Sequence, residues 1–405
     1  MNNSHHYKGS NSRNSFRKPS QNRGGFRNNF SRKGPRLGER IHVSKFINKS
    51  IIGEIEEIFV PKHTFSDFNI DLTLKKAIGN KGYAIPTPIQ DQAIPAGLLG
   101  NDILGIADTG TGKTGAFLIP LINKVLKNRR EQVLIIVPTR ELALQVDSEF
   151  KAFTAGMKMF SVCVVGGMSI GRQISDLRYQ YNFIIGTPGR LKDLVDRKKI
   201  FLNEFATVVL DEADRMLDMG FVHDMRAVMA GMPKVRQTLF FSATLSSEIE
   251  RLIGEFLKNP VKISVKKRDT SKNVDQDIVK LKNGENKIDV LHGLLKQKDF
   301  NKVLIFGRTK HGVEKLSNNL VQKGVKAESI HGNKNHGQRQ RALGNFKENR
   351  SQVLVATDVA ARGLDIADIT HVINYDLPQT YTDYVHRIGR TGRSGKKGKA
   401  LTFIE

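Results

Sequence analysis

Two short stretches carry residue types that together can cut a phosphate anhydride. The first is "ADTGTGKT", residues 107–114. A loop that grips phosphates needs backbone N–H groups turned inward, an ammonium for the charge and a hydroxyl for a metal ion. Gly110 and Gly112 permit the tight turn, Lys113 can reach the β- and γ-phosphates of a nucleotide, and Thr114 can coordinate Mg2+. The second stretch is "DEAD", residues 211–214, closing the apolar run "TVVL". Asp211 is the candidate holder of Mg2+, through water, and Glu212 the candidate group that polarises an attacking water. Taken singly, each has an ordinary explanation: a Gly-rich turn before a helix, or acids that merely end a strand. Paired, they describe nucleotide hydrolysis.

Such residues need a frame. "NDILGIA" supplies a strand before the loop, and "GAFLIPLINKVLK" a helix whose N-terminus faces the anion. From Pro61 to Val265 the apolar runs "QVLIIV", "FSVCVV", "YNFIIG", "TVVLDE", "QTLFFSAT" and "VKISV" alternate with helix-length segments. Near-continuous apolar runs of this length predict parallel strands buried on both faces. The polar segment 266–277, "KKRDTSKNVDQD", reads as a linker, after which "KVLIFG", "AESIHG", "SQVLVATD", "THVINYD" and "KALTFIE" resume the rhythm. "VLIIVPTRELALQV" from Val133 resembles "VLIFGRTKHGVEKL" from Val303: a strand, a Thr with a basic residue, then an amphipathic helix. The expectation is an α/β chain with two tandem doubly wound parallel sheets, over 61–265 and 278–405, behind a disordered basic tail over 1–60.

The net charge of +25 over 405 residues points to a polyanionic partner, because neutralising phosphates releases condensed counterions. Residues 1–50 hold 12 Lys or Arg against a single acid, Glu39, and "NRGGFRNNFSRKGPR" has neither a helix nor a strand period. Arg with an occasional Phe suits sequence-tolerant RNA binding through charge and stacking, although a plain solubilising tail has the same composition. Cys163 is the lone cysteine, which excludes an intramolecular disulfide and a Cys-rich zinc site. No apolar run approaches the length of a membrane span and no apolar leader opens the chain, so the expectation is a soluble, cytoplasmic protein. His331 and His336 lack neighbours at ligand spacing, and no structural metal is expected.

"ADTGTGKT", "DEAD" and, far downstream, "HRIGRTGR" (386–393) occur in the order found in DEAD-box ATP-dependent RNA helicases, the superfamily 2 helicase core, and from Thr64 onward the chain resembles that family. The resemblance implies two RecA-like domains, ATP and Mg2+ in the cleft between them, and RNA as the substrate. "FSDFNI" and "GYAIPTPIQ" are similar to the family's adenine-reading motif, which implies that Gln90 bonds the adenine edge and Phe65 packs on its ring. Ala107, Asp108, Thr109, Gly110, Thr111, Gly112, Lys113 and Thr114 would wrap the phosphates and metal, and Asp365 would touch the ribose. Arg390 and Arg393 would reach the γ-phosphate as arginine fingers.

RNA contacts carry over onto "PTREL" (Pro138, Thr139, Arg140), the "GG" of Gly166 and Gly167, and "TPGR" (Thr187, Pro188, Arg190). In the second domain they fall on Gln338 and Arg341 of "QRQR" and on Thr357. These are small, hydroxyl and Arg residues, suited to phosphates and 2′-hydroxyls of single-stranded or duplex RNA rather than to base edges. Coupling would run from Asp214 through Ser242 and Thr244 of "SAT" to His386 and Arg387, which would tie the two domains together. Asp108 departs from the family, which more often has a neutral or basic residue there, and the chain ends soon after "KALTFIE", where members usually continue through a final helix. A monomer that closes on ATP and RNA and locally unwinds duplexes is the leading expectation. An ATP-gated RNA clamp or scaffold shares every motif, and a DNA translocase on the same core is disfavoured by the adenine motif and the acid tetrad.

Overall fold

The computed structural model describes residues 41–48, 59–108, 110–265, 274–361, 366, 368–392 and 397–404. In the first lobe α1 (Leu72–Asn80) and α2 (Pro88–Leu98) precede β1 (Ile103–Ala107) and α3 (Lys113–Lys127). There follow β2 (Val133–Ile136), α4 (Arg140–Phe153), β3 (Ser161–Val164), α5 (Ile170–Asp176), β4 (Phe183–Gly186) and α6 (Pro188–Asp196). The lobe ends with β5 (Thr207–Leu210), α7 (Ala213–Asp218), α8 (Val222–Gly231), β6 (Gln237–Ser242), α9 (Ser247–Phe256) and β7 (Val261–Val265). Its strands form a parallel sheet in the order β3-β4-β2-β5-β6-β1-β7.

Side chains alternate across a strand, and here both faces are covered. Val133 and Ile135 join Phe117, Phe150 and Phe241 on one face, whereas Leu134 and Ile136 join Leu191, Met225 and Phe240 on the other. Each fully buried Leu, Ile or Phe of this kind contributes about 1.5–3 kcal/mol. That is why the strands read as unbroken apolar runs.

The second lobe repeats the plan. β8 (Val274–Lys280) and α10 (Lys287–Leu295) lead into β9 (Val303–Phe306), α11 (Lys310–Gln322), β10 (Ala327–Ile330) and α12 (His336–Lys347). Then come β11 (Val353–Ala356), α13 (Asp358–Ala361), β12 (His371–Asn374), α14 (Tyr381–Ile388) and β13 (Gly398–Ile404). The parallel order is β10-β11-β9-β12-β13-β8, which matches the first sheet position for position apart from β7. The two halves of the internal repeat are β2–α4 and β9–α11. Thr139 and Thr309 cap the two helices alike, accepting from the N–H groups of Leu142 and Gly312. The doubly wound α/β expectation holds in both lobes.

Two features differ from the sequence reading. β8 starts at Val274, inside the span 266–277 expected as linker, because it is an edge strand. Val274 and Gln276 are buried while Asp277 and Lys280 are exposed, so it lacks the continuous apolar run of a central strand. Residues 41–48, expected within the tail, contain a 3-10 turn over Val43–Phe46 and pack on the second lobe through buried Phe46. The rest of the expected tail, apart from Phe59 and Val60, lies outside the described residues, as does 266–273 of the expected linker. No described helix is long and apolar enough to cross a membrane.

Candidate functional site

In parallel α/β sheets, ligands bind at the carboxyl ends of the strands, and the expected residues gather there. The loop after β1 turns on Gly110 and Gly112, with φ of +81° and +96°. A Cβ at 112 would lie 2.7 Å from both Gln90 Nε2 and Thr87 Oγ1, so only glycine lets the loop and α2 approach this closely. Lys113, at the start of α3, is buried and its ammonium donates to the Ala107 carbonyl at 2.9 Å. Thr111 donates to the Asp108 carbonyl, closing the loop. Thr114 and Asp108 are half-buried; Thr109 lies outside the described residues.

Gln90 acts first within the protein. Its carbonyl oxygen accepts from the Thr87 N–H at 3.0 Å and its amide donates to the Gly112 carbonyl at 3.1 Å. One side chain thus caps α2 and braces the phosphate loop, and each end of the amide keeps a second hydrogen-bonding capacity. Phe65 is buried against Phe68 and Tyr83.

The acids sit across the loop, at the end of β5. Asp211 Oδ1 lies 4.0 Å from Lys113 Nζ and accepts from the Glu212 N–H. Burial pushes the Asp211 carboxyl up to about 6, against the pull of Lys113. Burial also works against the charge of Glu212, but Arg215, Lys113 and Arg390 outweigh it and hold that carboxyl below its usual range. Glu212 has left-handed backbone (φ +53°, ψ +49°), an unfavourable conformation for a side chain of this size. Its carboxylate is paired with the buried Arg215 guanidinium. Asp214 reaches the next strand end, accepting from the Ala243 N–H and the Thr244 hydroxyl at 3.2 Å each, while Ser242 donates to the Thr244 carbonyl. These bonds join Asp214 to "SAT" within the first lobe.

The donor set fits the expected groups. A loop with two left-handed glycines and a buried ammonium suits a polyphosphate, and the Thr114 hydroxyl with the Asp211 carboxylate are hard oxygen donors of the kind Mg2+ takes alongside phosphate and water.

From the second lobe, α14 brings the basic residues. Arg390 is buried and its charge acts on Glu212 across the lobes. Arg387 departs from its expected role as a tie between lobes. It clasps Asp358 through two bonds of 2.6 and 2.8 Å, donates to Asn374 Oδ1 and the Asp376 carbonyl, and stacks on Phe306. All these partners belong to the second lobe. The fixed guanidinium fork matches a carboxylate and two carbonyls within its own sheet, so Arg387 rigidifies α14. His386 lines a shallow cavity with Asp383 and Arg390. Arg393 and Asp365 lie outside the described residues.

The residues expected to meet RNA line the same edge of the two sheets. Thr139 and Thr187 are helix N-caps, followed by Arg140 and by Pro188. A Cβ on Gly167 (φ +75°) would fall 2.0 Å from Arg140 Nη1, so the glycine makes room for that guanidinium. Arg190 donates to the Met168 carbonyl, which fastens the loop of Gly166 and Gly167 to α6. Gln338 is exposed in the first turn of α12, where it completes a capping box with Asn335, and Arg341 is exposed beyond it. Thr357 is half-buried at the end of β11.

Three partners escaped sequence reading. Arg215 holds Glu212. Arg339 Nη2 lies 2.8 Å from Glu141 Oε1, a buried cross-lobe ion pair by distance, without the alignment of a hydrogen bond. Asp358 holds Arg387. Arg339 and Asp358 sit inside stretches quoted above, and Arg215 directly follows the tetrad. Which acid faces which base is a tertiary fact, and no local spacing announces it.

The comparisons with known proteins agree with this geometry. A family model described as DEAD/DEAH box helicase matches residues 87–252, and one described as helicase conserved C-terminal domain matches residues 286–395. The chain is 46% identical over 343 residues to the DEAD-box ATP-dependent RNA helicase CshA of Bacillus subtilis, covering 84% of this chain and 69% of that protein. It is 41% identical over 343 residues to the RNA helicase CrhR of Synechocystis, covering 84% and 70%. Among solved structures, Mss116p bound to single-stranded RNA and AMP-PNP matches with a TM-score of 0.76 at 30% identity, over 85% of this chain and 76% of that one. Dbp5 of S. cerevisiae bound to RNA and ADP BeF3 matches with a TM-score of 0.73 at 31% identity, over 84% and 89%. A phosphate loop and acid tetrad on one RecA-like lobe, facing an arginine helix on the other, belong with those matches: the chain is a member of the DEAD-box ATP-dependent RNA helicases.

Proposed function

We propose that the protein couples ATP hydrolysis in the cleft between its lobes to gripping and locally unwinding RNA without regard to sequence. The observation that carries this reading is the division of the site. Lys113, Asp211 and Glu212 belong to the first lobe, and the Arg390 charge that acts on Glu212 comes from the second. Gln90 and Phe65 would take the adenine, the loop 107–114 the phosphates, and Thr114 with Asp211 the Mg2+. Bound Mg2+ supplies neutralisation of the charge that builds on the phosphate oxygens. Glu212 would orient and polarise the attacking water, and Arg390 would balance charge in the transition state. Arg393 and Asp365 are assigned the finger and ribose roles by resemblance. A water needs Glu212 free to accept, so the pairing with Arg215 would have to loosen or share.

Residues 138–140, 166–167, 187–190, 338, 341 and 357 would hold the RNA backbone. Because this set is divided between the two lobes, ATP and RNA would favour the same closed arrangement, a reciprocal coupling. The likeness to Mss116p bound to single-stranded RNA and AMP-PNP, with a TM-score of 0.76 over 85% of this chain, supports that reading.

The test is steady-state ATP hydrolysis with single-stranded RNA, with single-stranded DNA and without nucleic acid, for the wild-type chain and Glu212→Gln. Strong stimulation by RNA alone is expected, with kcat reduced by about 10²–10⁴-fold in the variant while ATP still binds. Equal stimulation by DNA would overturn the RNA reading.

A further inference from the structure

The structure gives the segment 41–48 a place that no motif accounts for. In the first lobe β1 is flanked on its outer side by β7; among the described residues its counterpart β8 in the second lobe has no such strand. Residues 41–48 fill part of that edge. The Asn48 N–H donates to the Gln276 carbonyl at 3.1 Å and the Gln276 N–H to the Asn48 carbonyl at 2.8 Å, an antiparallel bridge onto β8. Phe46, 2% exposed, enters a small core made by Val274, Tyr384, Ile388 and Ala400. Its ring meets Tyr384 edge-on at 4.8 Å, Lys45 sits over Tyr381 at 5.1 Å, and the Tyr384 hydroxyl donates to the Gln276 side chain.

Tyr384 and Ile388 are four residues apart on α14, one face of the helix that also carries His386 and Arg387 and that leads, two residues past its end, to Arg390. Phe46 therefore packs against the rear of the arginine helix. We propose that residues 41–48 are an intramolecular strap and that Phe46 is a positioning residue for hydrolysis, setting the seat of α14 and so the reach of Arg390. This rests on the reading that Arg390 completes the ATP site. Small displacements suffice: a shift of about 1 Å in a charged group can cost up to about 10²-fold in rate.

The full chain is compared as wild type, Phe46→Ala and Phe46→Leu, reading RNA-stimulated kcat, KM for ATP, urea unfolding and amide hydrogen exchange of residues 381–388. The expected result for Phe46→Ala is a kcat lower by about tenfold with KM for ATP within about twofold, since the adenine and phosphate residues lie in the other lobe. Exchange in α14 rises, and Phe46→Leu restores most of both. Unchanged kcat and unchanged exchange overturn the strap, as does a loss of activity that only follows the unfolded fraction. If Phe46→Ala does not fold, Asn48→Pro, which removes the N–H donated to Gln276 and leaves the ring in place, is judged by the same two readouts. A wild type without RNA stimulation refutes the helicase reading alone, and the exchange comparison then decides the strap by itself.

Discussion

The two lobes have one strand order and opposite duties. In the first lobe β1, paired on both sides, ends in a loop of left-handed glycines and a buried lysine. Its counterpart β8 is an edge strand that runs through an ordinary polar turn into α10. The first lobe concentrates buried, conflicting charges at its strand ends: Asp211 is pushed up by burial, and Glu212 is held down by cations in a strained backbone. The second lobe satisfies its buried Arg387 internally and turns the charge of buried Arg390 on Glu212 of the first lobe. On the proposed function, the same sheet would serve as a binding site where its strand ends are strained and as a rigid arm where its charges are paired. Neither role follows from topology alone.

Four perturbations break or sharpen that contrast. Arg390→Ala should lower RNA-stimulated kcat by about 10³-fold or more with ATP binding retained, read by steady-state hydrolysis and nucleotide binding. A loss under about tenfold would mean that the first lobe is catalytically complete. Arg387→Ala should act on folding, because it leaves Asp358, the buried Asn374 amide oxygen and the half-buried Asp376 carbonyl without their cation. With Asp358 28% exposed, about 3 kcal/mol is expected from urea unfolding, the low end for broken buried pairs.

The cross-lobe pair is smaller. A double-mutant cycle of Glu141→Gln and Arg339→Gln should give a coupling of about 1–2 kcal/mol in ATP-dependent RNA affinity and none in the affinity for ATP alone. A coupling of zero would leave the two lobes joined at the ATP site only.

The smallest effect concerns pH and the far end of the second sheet. His371 stacks on Phe300 with centroids 3.8 Å apart, and its ring lies 3.7 Å from Asp299 and near Lys399. Burial lowers its pKa from 6.5 to about 4, with Asp299 opposing. The unfolded chain takes up that proton first as pH falls. Stability is therefore intact above pH 6.5 and declines between 6.5 and 4. His371→Gln should remove this slope from the urea midpoint across that window, and the ATP site, whose acids lie in the other lobe, should not notice.

Most of the frame was legible because central parallel strands announce themselves. All the apolar runs, from "NDILGIA" to "KALTFIE", became strands. β8 was not legible: an edge strand needs apolar residues on one side only, and Asp275 and Asp277 made it read as linker. Residues 41–48 were read as tail because charge dominates that region, and one buried Phe is too little signal to contradict it. At the candidate site, the placement of Lys113 and Glu212 together at the strand ends was readable. Arg215, Arg339 and Asp358 act through partners chosen by folding. Arg387, read as a tie between lobes, shows the same limit, since four acceptors in its own lobe claimed it.

The uneven sheet edge has a consequence for solubility. A strand with unpaired backbone on one side is a template onto which another chain can grow. β8 is such a strand, and its protection is divided. Asn48 covers the backbone at Gln276, and exposed Asp277 and Lys280 discourage a newcomer farther along. A shortened chain lacking residues 41–48 would therefore lose a shield against self-association, and its behaviour at high concentration, not only its turnover, would record what those eight residues do.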